Sequence, residues 1–166
     1  MEDKKIFSNY LKKLVSIAKH GDAREESYYE ALSELFTQFA VNIEKPFVHV
    51  TTLPKGTDAG NPDFRLWNGS NQIIGYIEAK KPTDENLNFI ENSEQLKRYR
   101  AIFPNLILTN FIEFRRYRNG ECVETARVAR PKVSSGLNTA LLLERTDELV
   151  DLLIHFMDFS LAKTFT

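Results

Sequence analysis

Two carboxylates and one amine stand in this chain at a spacing that suits metal and phosphate chemistry. They are Asp63, Glu78 and Lys80, within the stretch Asn61 to Pro82, NPDFRLWNGSNQIIGYIEAKKP. Hard carboxylate oxygens suit a hard divalent cation, and an amine beside them supplies positive charge or a proton acceptor. The stretch reads as two strands joined by a turn at Asn68-Gly69, a strong hairpin signal. Side chains alternate along a strand, so Glu78 and Lys80 share one face while Ile77 and Ala79 take the other. On the preceding strand Asp63 faces opposite to Phe64 and Leu66. Pairing the strands brings Asp63, Glu78 and Lys80 to one end of a sheet. The structural reading of the same residues is a surface carboxylate at a strand start and a solvated Glu/Lys pair at a strand end.

The elements that must position these groups follow from hydrophobic periodicity. Residues 3–19 predict an amphipathic helix on Ile6, Tyr10, Leu14 and Ile17, ended at His20-Gly21. A second helix spans about 23–42, with Tyr28, Leu32, Leu35, Phe36 and Phe39 as its core stripe. Glu25 lies at the edge of that stripe and has two readings. It completes a capping box with Asp22, or it reaches toward the carboxylate site. Pro46 to Thr52 predicts a strand containing a half-buried His49, and Leu53 to Asn61 a loop. Thr83 to Asn92 reads as a polar loop anchored by Leu87, Phe89 and Ile90. Ser93 caps a helix running to about Phe103, on which Leu96, Tyr99 and Phe103 share a face and Gln95 sits one turn before Tyr99. Asn105 to Asn110 predicts a buried strand. Phe111–Arg118 and Glu121–Ala129 predict a hairpin turning at Asn119-Gly120. After a loop over 131–144, with an apolar patch at Leu141–Leu143, a last helix starts at Thr146 and buries Leu149, Leu152, Leu153 and Phe156. Mixed strands and helices of this kind make an α/β (α+β) domain.

Composition narrows the class. The 166 residues suit one domain with a real core, and 42% hydrophobic with 27% charged is ordinary for a soluble protein. A single cysteine, Cys122, excludes an internal disulfide and reads as a small core residue. No apolar run has the length of a membrane span, and the start MEDKK lacks a signal-peptide core, so a cytoplasmic location is expected. The net charge of −1 is unevenly spread. Gln95 to Lys132 holds nine basic residues (Lys97, Arg98, Arg100, Arg115, Arg116, Arg118, Arg127, Arg130, Lys132) against Glu113, Glu121 and Glu124, an excess of six that leaves −7 for the remainder. Such a segment after a carboxylate-containing sheet suits a phosphate backbone, while charge alone favours a solvated basic face. The chain has no H-E-x-x-H, no Cys/His zinc spacing and no G-x-x-x-x-G-K-[ST] loop. His20, His49 and His155 are scattered and read as helix-end, strand and surface or packing residues.

Four ordered segments carry a resemblance. Pro62-Asp63 followed by Glu78-Ala79-Lys80 resembles the signature of the PD-(D/E)xK nuclease superfamily. Glu25-Glu26-Ser27-Tyr28-Tyr29 resembles the E-x-S/T-Y segment of the N-terminal endonuclease domains of fused restriction–modification enzymes, with Glu30 where those relatives often have proline. SEQLKRY resembles their Q-x-x-x-Y element, at Gln95 and Tyr99. LILTNFIEFRRYRNGE resembles their LTN…EF…Y…NG phrase. The likeness covers most of Glu25–Gly120.

The resemblance implies a restriction-endonuclease-like fold, a mixed central β-sheet flanked by helices. It implies one nuclease domain over 1–166, with a core at about 22–130 between an N-terminal helix 3–19 and a C-terminal helix of about 146–160. It further implies an excised N-terminal piece of a longer chain, with methyltransferase and target-recognition domains downstream. The expected activity is hydrolysis of phosphodiester bonds in unmodified double-stranded DNA, with Mg²⁺ as cofactor and Mn²⁺ able to substitute. Asp63 and Glu78 would be metal ligands with the Ala79 carbonyl a third. Lys80 would orient or deprotonate water or stabilise charge on phosphorus, and Glu25 and Gln95 are supporting candidates. Cutting both strands implies a second copy. Alternatives are a non-cleaving DNA-binding module of the same fold, the nuclease domain of a type I motor subunit, or a repair nuclease.

Overall fold

A computed structural model of the chain describes residues 2–82, 86–130 and 146–159. Helix α1 is Glu2–Lys19, and a 3-10 turn at Glu25–Tyr28 leads directly into α2, Tyr29–Asn42. Strands β1 (His49–Thr52), β2 (Phe64–Trp67) and β3 (Ile73–Ala79) follow, then the short α3 (Leu87–Glu91) and α4 (Glu94–Ile102). The series ends with β4 (Asn105–Thr109), β5 (Glu113–Arg118), β6 (Glu121–Arg127) and α5 (Thr146–Met157).

The six strands form one sheet in the order β1-β2-β3-β4-β5-β6. Neighbours are antiparallel except β3 and β4, which run parallel and are joined through α3 and α4. A parallel pair needs such a crossover, and it buries both faces of its strands, which explains why NLILT is apolar throughout. One face carries α1, α2 and α5, through Phe7, Leu14, Leu32, Phe36, Phe39, Leu152 and Phe156, packed on Phe64, Leu66, Ile77 and Ile107. The other carries α3 and α4, with Leu87, Leu96, Tyr99 and Phe103 on Tyr76, Leu106, Leu108 and Tyr117. Each such side chain, fully buried, is worth about 1.5–3 kcal/mol of transfer free energy before conformational entropy is subtracted. The result is a mixed six-stranded sheet flanked by helices, an α+β fold.

Two details seat the helices. Gly21 adopts φ +76° and donates its N–H to the Ala18 carbonyl at 3.1 Å, ending α1 in the left-handed cap that glycine favours. Gly75 in β3 lets α5 approach, because a Cβ there would lie 2.6 Å from the Asn105 carbonyl and 2.8 Å from the Phe156 ring. The Asn105 amide locks that contact, donating to the Ile74 carbonyl at 3.0 Å and the Phe156 carbonyl at 2.9 Å.

Several sequence expectations are corrected. The 3-10 turn ahead of α2 is capped by Arg24 and Ser27, not by Asp22 and Glu25: Arg24 N–H donates to Ser27 Oγ at 3.0 Å and Ser27 N–H to the Arg24 carbonyl at 3.0 Å. The first strand starts at His49 because a turn, Val48 N–H to Lys45 carbonyl at 3.1 Å, occupies the preceding residues. His49 is exposed on this edge strand. The β2–β3 connection takes residues 68–72, closed by Asn68 N–H to the Gln72 carbonyl. Residues 87–91 are helical rather than loop, capped by Asn86, whose side chain accepts from Asn88 N–H at 2.9 Å. Within α3 Leu87 is an anchor, whereas Phe89 is 80% exposed. Cys122 is exposed, since β6 is the other edge strand. The predicted loop at 131–144 and its apolar patch lie outside the described residues, as does the end of the last predicted helix beyond 159.

Candidate active site

The register of β2 against β3 decides what faces what. Phe64 pairs with Ile77 and Arg65 with Tyr76, so the rung one step before β2 sets Asp63 beside Glu78. The backbone around that rung is tied down on both sides. Leu53 N–H donates to the Asp63 carbonyl at 2.7 Å, and Lys80 N–H to the Thr109 carbonyl at 2.8 Å, extending the parallel β3–β4 ladder. Asp63 Oδ2 accepts from Ala79 N–H at 2.8 Å, which fastens the carboxylate to the end of β3.

The remaining partners arrive from two helices. From α2, Tyr29 Oη lies 2.8 Å from Asp63 Oδ1 and 3.1 Å from Glu25 Oε1. A hydroxyl has one proton, so Tyr29 donates to only one of these carboxylates at a time. From α4, Gln95 Oε1 accepts from Lys80 Nζ at 3.2 Å while Gln95 Nε2 donates to Tyr99 Oη at 3.3 Å. Lys80 Nζ also lies 3.1 Å from Glu78 Oε2. Glu25, Asp63, Glu78, Lys80 and Gln95 thus form one connected cluster, with Tyr29 bridging Glu25 to Asp63. Tyr29 was not legible as a site residue, because a tyrosine opening an amphipathic helix reads as core. Its ring does pack on Phe64, edge-on at 4.9 Å between centroids, and only its hydroxyl is polar. Tyr99 likewise packs fully and still reaches Gln95.

The cluster is buried and short of compensation. Glu78 is 3% exposed, and its Oε1 has no hydrogen-bond partner. Burial first, and the Asp63 charge second, push the Glu78 carboxyl up to about 8, against the pull of Lys80. Burial also raises Asp63, opposed by the Ala79 N–H, Tyr29 and Lys80. Tyr29 is held well above its ordinary value by burial and then by Asp63 and Glu25. Two carboxylates forced together, one oxygen left without a donor, and acidities displaced upward mark this cluster as a candidate functional site. The donor set fits a hard divalent ion: Asp63 and Glu78 supply carboxylate oxygens, and the Ala79 carbonyl stands at the same strand end. Among the described residues no group of three or more His, Cys, Asp or Glu side chains could hold a metal, so any ion here would complete its shell with carbonyl, water or phosphate oxygens.

Part of the basic segment is engaged within the protein. Arg115 pairs with Glu113 at 2.6 Å and with Glu91 at 2.6 Å, and Arg116 pairs with Glu124 at 2.6 Å. Arg100 donates to the carbonyls of Gly120 and Glu91 and lies over the Tyr117 ring. These three are taken up by contacts within the fold, whereas Lys97, Arg98, Arg118, Arg127 and Arg130 are exposed. His155, expected to stand alone, lies 2.8 Å from Glu124 at the surface.

No family model and no curated protein matches the sequence. The fold is matched among solved structures: a chain of the cryo-EM structure titled "DrdV-DNA complex" superimposes with a TM-score of 0.68 at 22% identity over 94% of this chain. The fold is restriction-endonuclease-like. This chain spans 14% of the length of the one it resembles. No helix among the described residues is long and apolar enough to cross a membrane.

Proposed function

We propose that this chain is the metal-dependent DNA endonuclease domain of a fused restriction–modification enzyme, of the PD-(D/E)xK type. The observation that carries the reading is the buried Asp63–Glu78 pair with its unpartnered Glu78 oxygen and Lys80 Nζ 3.1 Å away. A purely structural pair at this depth would be neutralised by its partners. The restriction-endonuclease-like fold supports the reading, as does the solved neighbour, whose title describes a complex with DNA.

Each residue has a task in phosphodiester hydrolysis. Asp63 and Glu78 would hold Mg²⁺, with the Ala79 carbonyl as a further ligand and Mn²⁺ as a substitute. The ion supplies a lower pKa for bound water and charge compensation for the phosphate. Lys80, held by Gln95, bears on the attacking water or on the phosphate oxygens, where negative charge grows. The water oxygen bonds to phosphorus, the P–O ester bond breaks, and the proton released by water is matched by one taken up by the departing alkoxide. Glu25 acts through Tyr29 on Asp63, a positioning role. Double-stranded DNA is the proposed substrate. Methyltransferase and recognition domains of a longer polypeptide would deliver it, and a second copy would cut the second strand.

Plasmid nicking tests this. The wild type with Mg²⁺ or Mn²⁺ is expected to nick, and EDTA to abolish nicking. Lys80→Ala is expected to lower the rate by at least ~100-fold with the fold intact. A folded wild type that neither nicks nor takes up Mn²⁺ in calorimetry would sink the proposal.

A further inference from the structure

Arg65 is the cation on the sheet face of the candidate site that the basic segment does not contain. It lies two residues after Asp63 on β2, so both side chains leave the same face, about 7 Å apart along the strand. Its rung partner is Tyr76, two residues before Glu78, so the Arg65–Tyr76 rung runs parallel to the Asp63–Glu78 rung. The guanidinium is placed by aromatic faces: its carbon lies 5.3 Å from the Tyr76 centroid and 5.7 Å from that of Trp67. Tyr76 in turn stacks on Phe103 at 4.0 Å, and Trp67 Nε1 donates to Thr51 Oγ1 at 3.2 Å, so both rings are anchored. One guanidinium N–H group, on Nη2, donates to the Lys55 carbonyl at 3.1 Å. Nε is buried and has no partner, and no carboxylate pairs with Arg65 among the described residues. This contrasts with Arg115 and Arg116, whose charges are matched by glutamates.

We propose that Arg65 is a substrate-positioning residue that binds a backbone phosphate of the DNA next to the one held at Asp63 and Glu78. Asp63 and Arg65 leave one face of the same strand two residues apart, which sets a cation beside the carboxylates on the side from which a neighbouring phosphate would come. A stacked, pre-oriented fork with donors to spare suits phosphate better than a flexible lysine would. The inference rests on the nuclease reading above and adds the strand's direction of approach: the backbone runs from the carboxylate pair along β2 past Arg65.

The test is fluorescence anisotropy of a labelled 20-base-pair duplex titrated with the whole chain, with Ca²⁺ in place of Mg²⁺, between 50 and 200 mM KCl. Arg65→Gln is expected to weaken binding about 5–10-fold at 100 mM KCl and to reduce the slope of log K against log salt by about 1. Arg65→Lys, which keeps the charge and the aliphatic stem, is expected to keep the slope and lose part of the affinity. It also serves if the glutamine variant fails to fold. A variant with wild-type affinity and slope would overturn the proposal and leave Arg65 a packing residue between Trp67 and Tyr76. A wild type without measurable duplex binding at 50 mM KCl would overturn it too. Mn²⁺ calorimetry on the same proteins separates the two ideas. Metal uptake unchanged in Arg65→Gln with a wild-type salt slope defeats only the Arg65 role, whereas no uptake by the wild type defeats the metal reading.

Discussion

Buried charge collects in two places in this molecule, and they are completed in opposite ways. Between β5 and the end of α3, Glu113, Arg115, Glu91 and Tyr117 form a closed network, with Arg115 donating to both glutamates at 2.6 Å and Tyr117 Oη to Glu91 at 2.9 Å. At the end of β3, Asp63 and Glu78 lie together with one lysine between Glu78 and Gln95, and one oxygen has no donor. The first cluster is complete without a ligand. The second is left unfinished by the protein itself, and a buried group without a partner persists where something else is meant to supply it. Density of charge in the sequence pointed at the first cluster. The spacing of Asp63, Glu78 and Lys80 pointed at the second, and the pairing sets it apart as the candidate site.

The sharpest break of this comparison is Glu78→Gln. Removing the charge should abolish nicking, by at least ~100-fold, and yet stabilise the metal-free protein. The sign follows from linkage. Burial lifts Glu78 from its ordinary 4.5 to about 8, so the folded state binds this proton more tightly than the unfolded chain. The stability it contributes is therefore full below about pH 4.5 and is lost as pH rises through about 8. Thermal melting in EDTA should show the wild type losing ground between these limits and Glu78→Gln losing less, with Mn²⁺ restoring the wild type at pH 8. A glutamine variant that melts lower at pH 8 would mean that the Lys80 pairing outweighs the cost of burying the Glu78 charge.

The converse substitution acts on the closed network. Glu113→Ala strips Arg115 of one of its two carboxylates and should lower stability by about 2–3 kcal/mol, or roughly 4–12 °C in melting temperature for a domain of this size. Nicking per folded molecule should stay within about twofold, and a larger drop would tie the network to the chemistry. Tyr29→Phe is a smaller perturbation of the open site. Calorimetry should find Mn²⁺ affinity reduced about 10-fold, the usual effect of losing an outer-shell partner, with the ring packing on Phe64 retained. An unchanged affinity would leave Glu25 unconnected to the metal. His155→Ala should do least. Its contact with Glu124 is at the surface, and melting should move by less than about 2 °C.

The sequence by itself determined the elements and their inward faces. Leu32, Leu35, Phe36 and Phe39 on α2 and Leu149, Leu152, Leu153 and Phe156 on α5 are all buried as their spacing requires, because helical periodicity is a local property of the chain. The alternation around Asp63, Glu78 and Lys80 was equally readable, since strand parity needs only counting. The Asn119-Gly120 turn was readable too, with both residues at positive φ. What the tertiary structure decided was partnership. Tyr29 meets Asp63 across 34 positions, and Asn105 reaches Phe156 across 51. Glu113 and Glu91 claim Arg115, while Arg65 keeps donors unused between two rings. No local pattern encodes these contacts, because they depend on the register of strands and on which helix crosses which strand end. The same uncertainty made Cys122 look like core: β6 became an edge strand only once the sheet order was set. A carboxylate's role depends on whether a partner reaches it, and that is settled by packing in three dimensions.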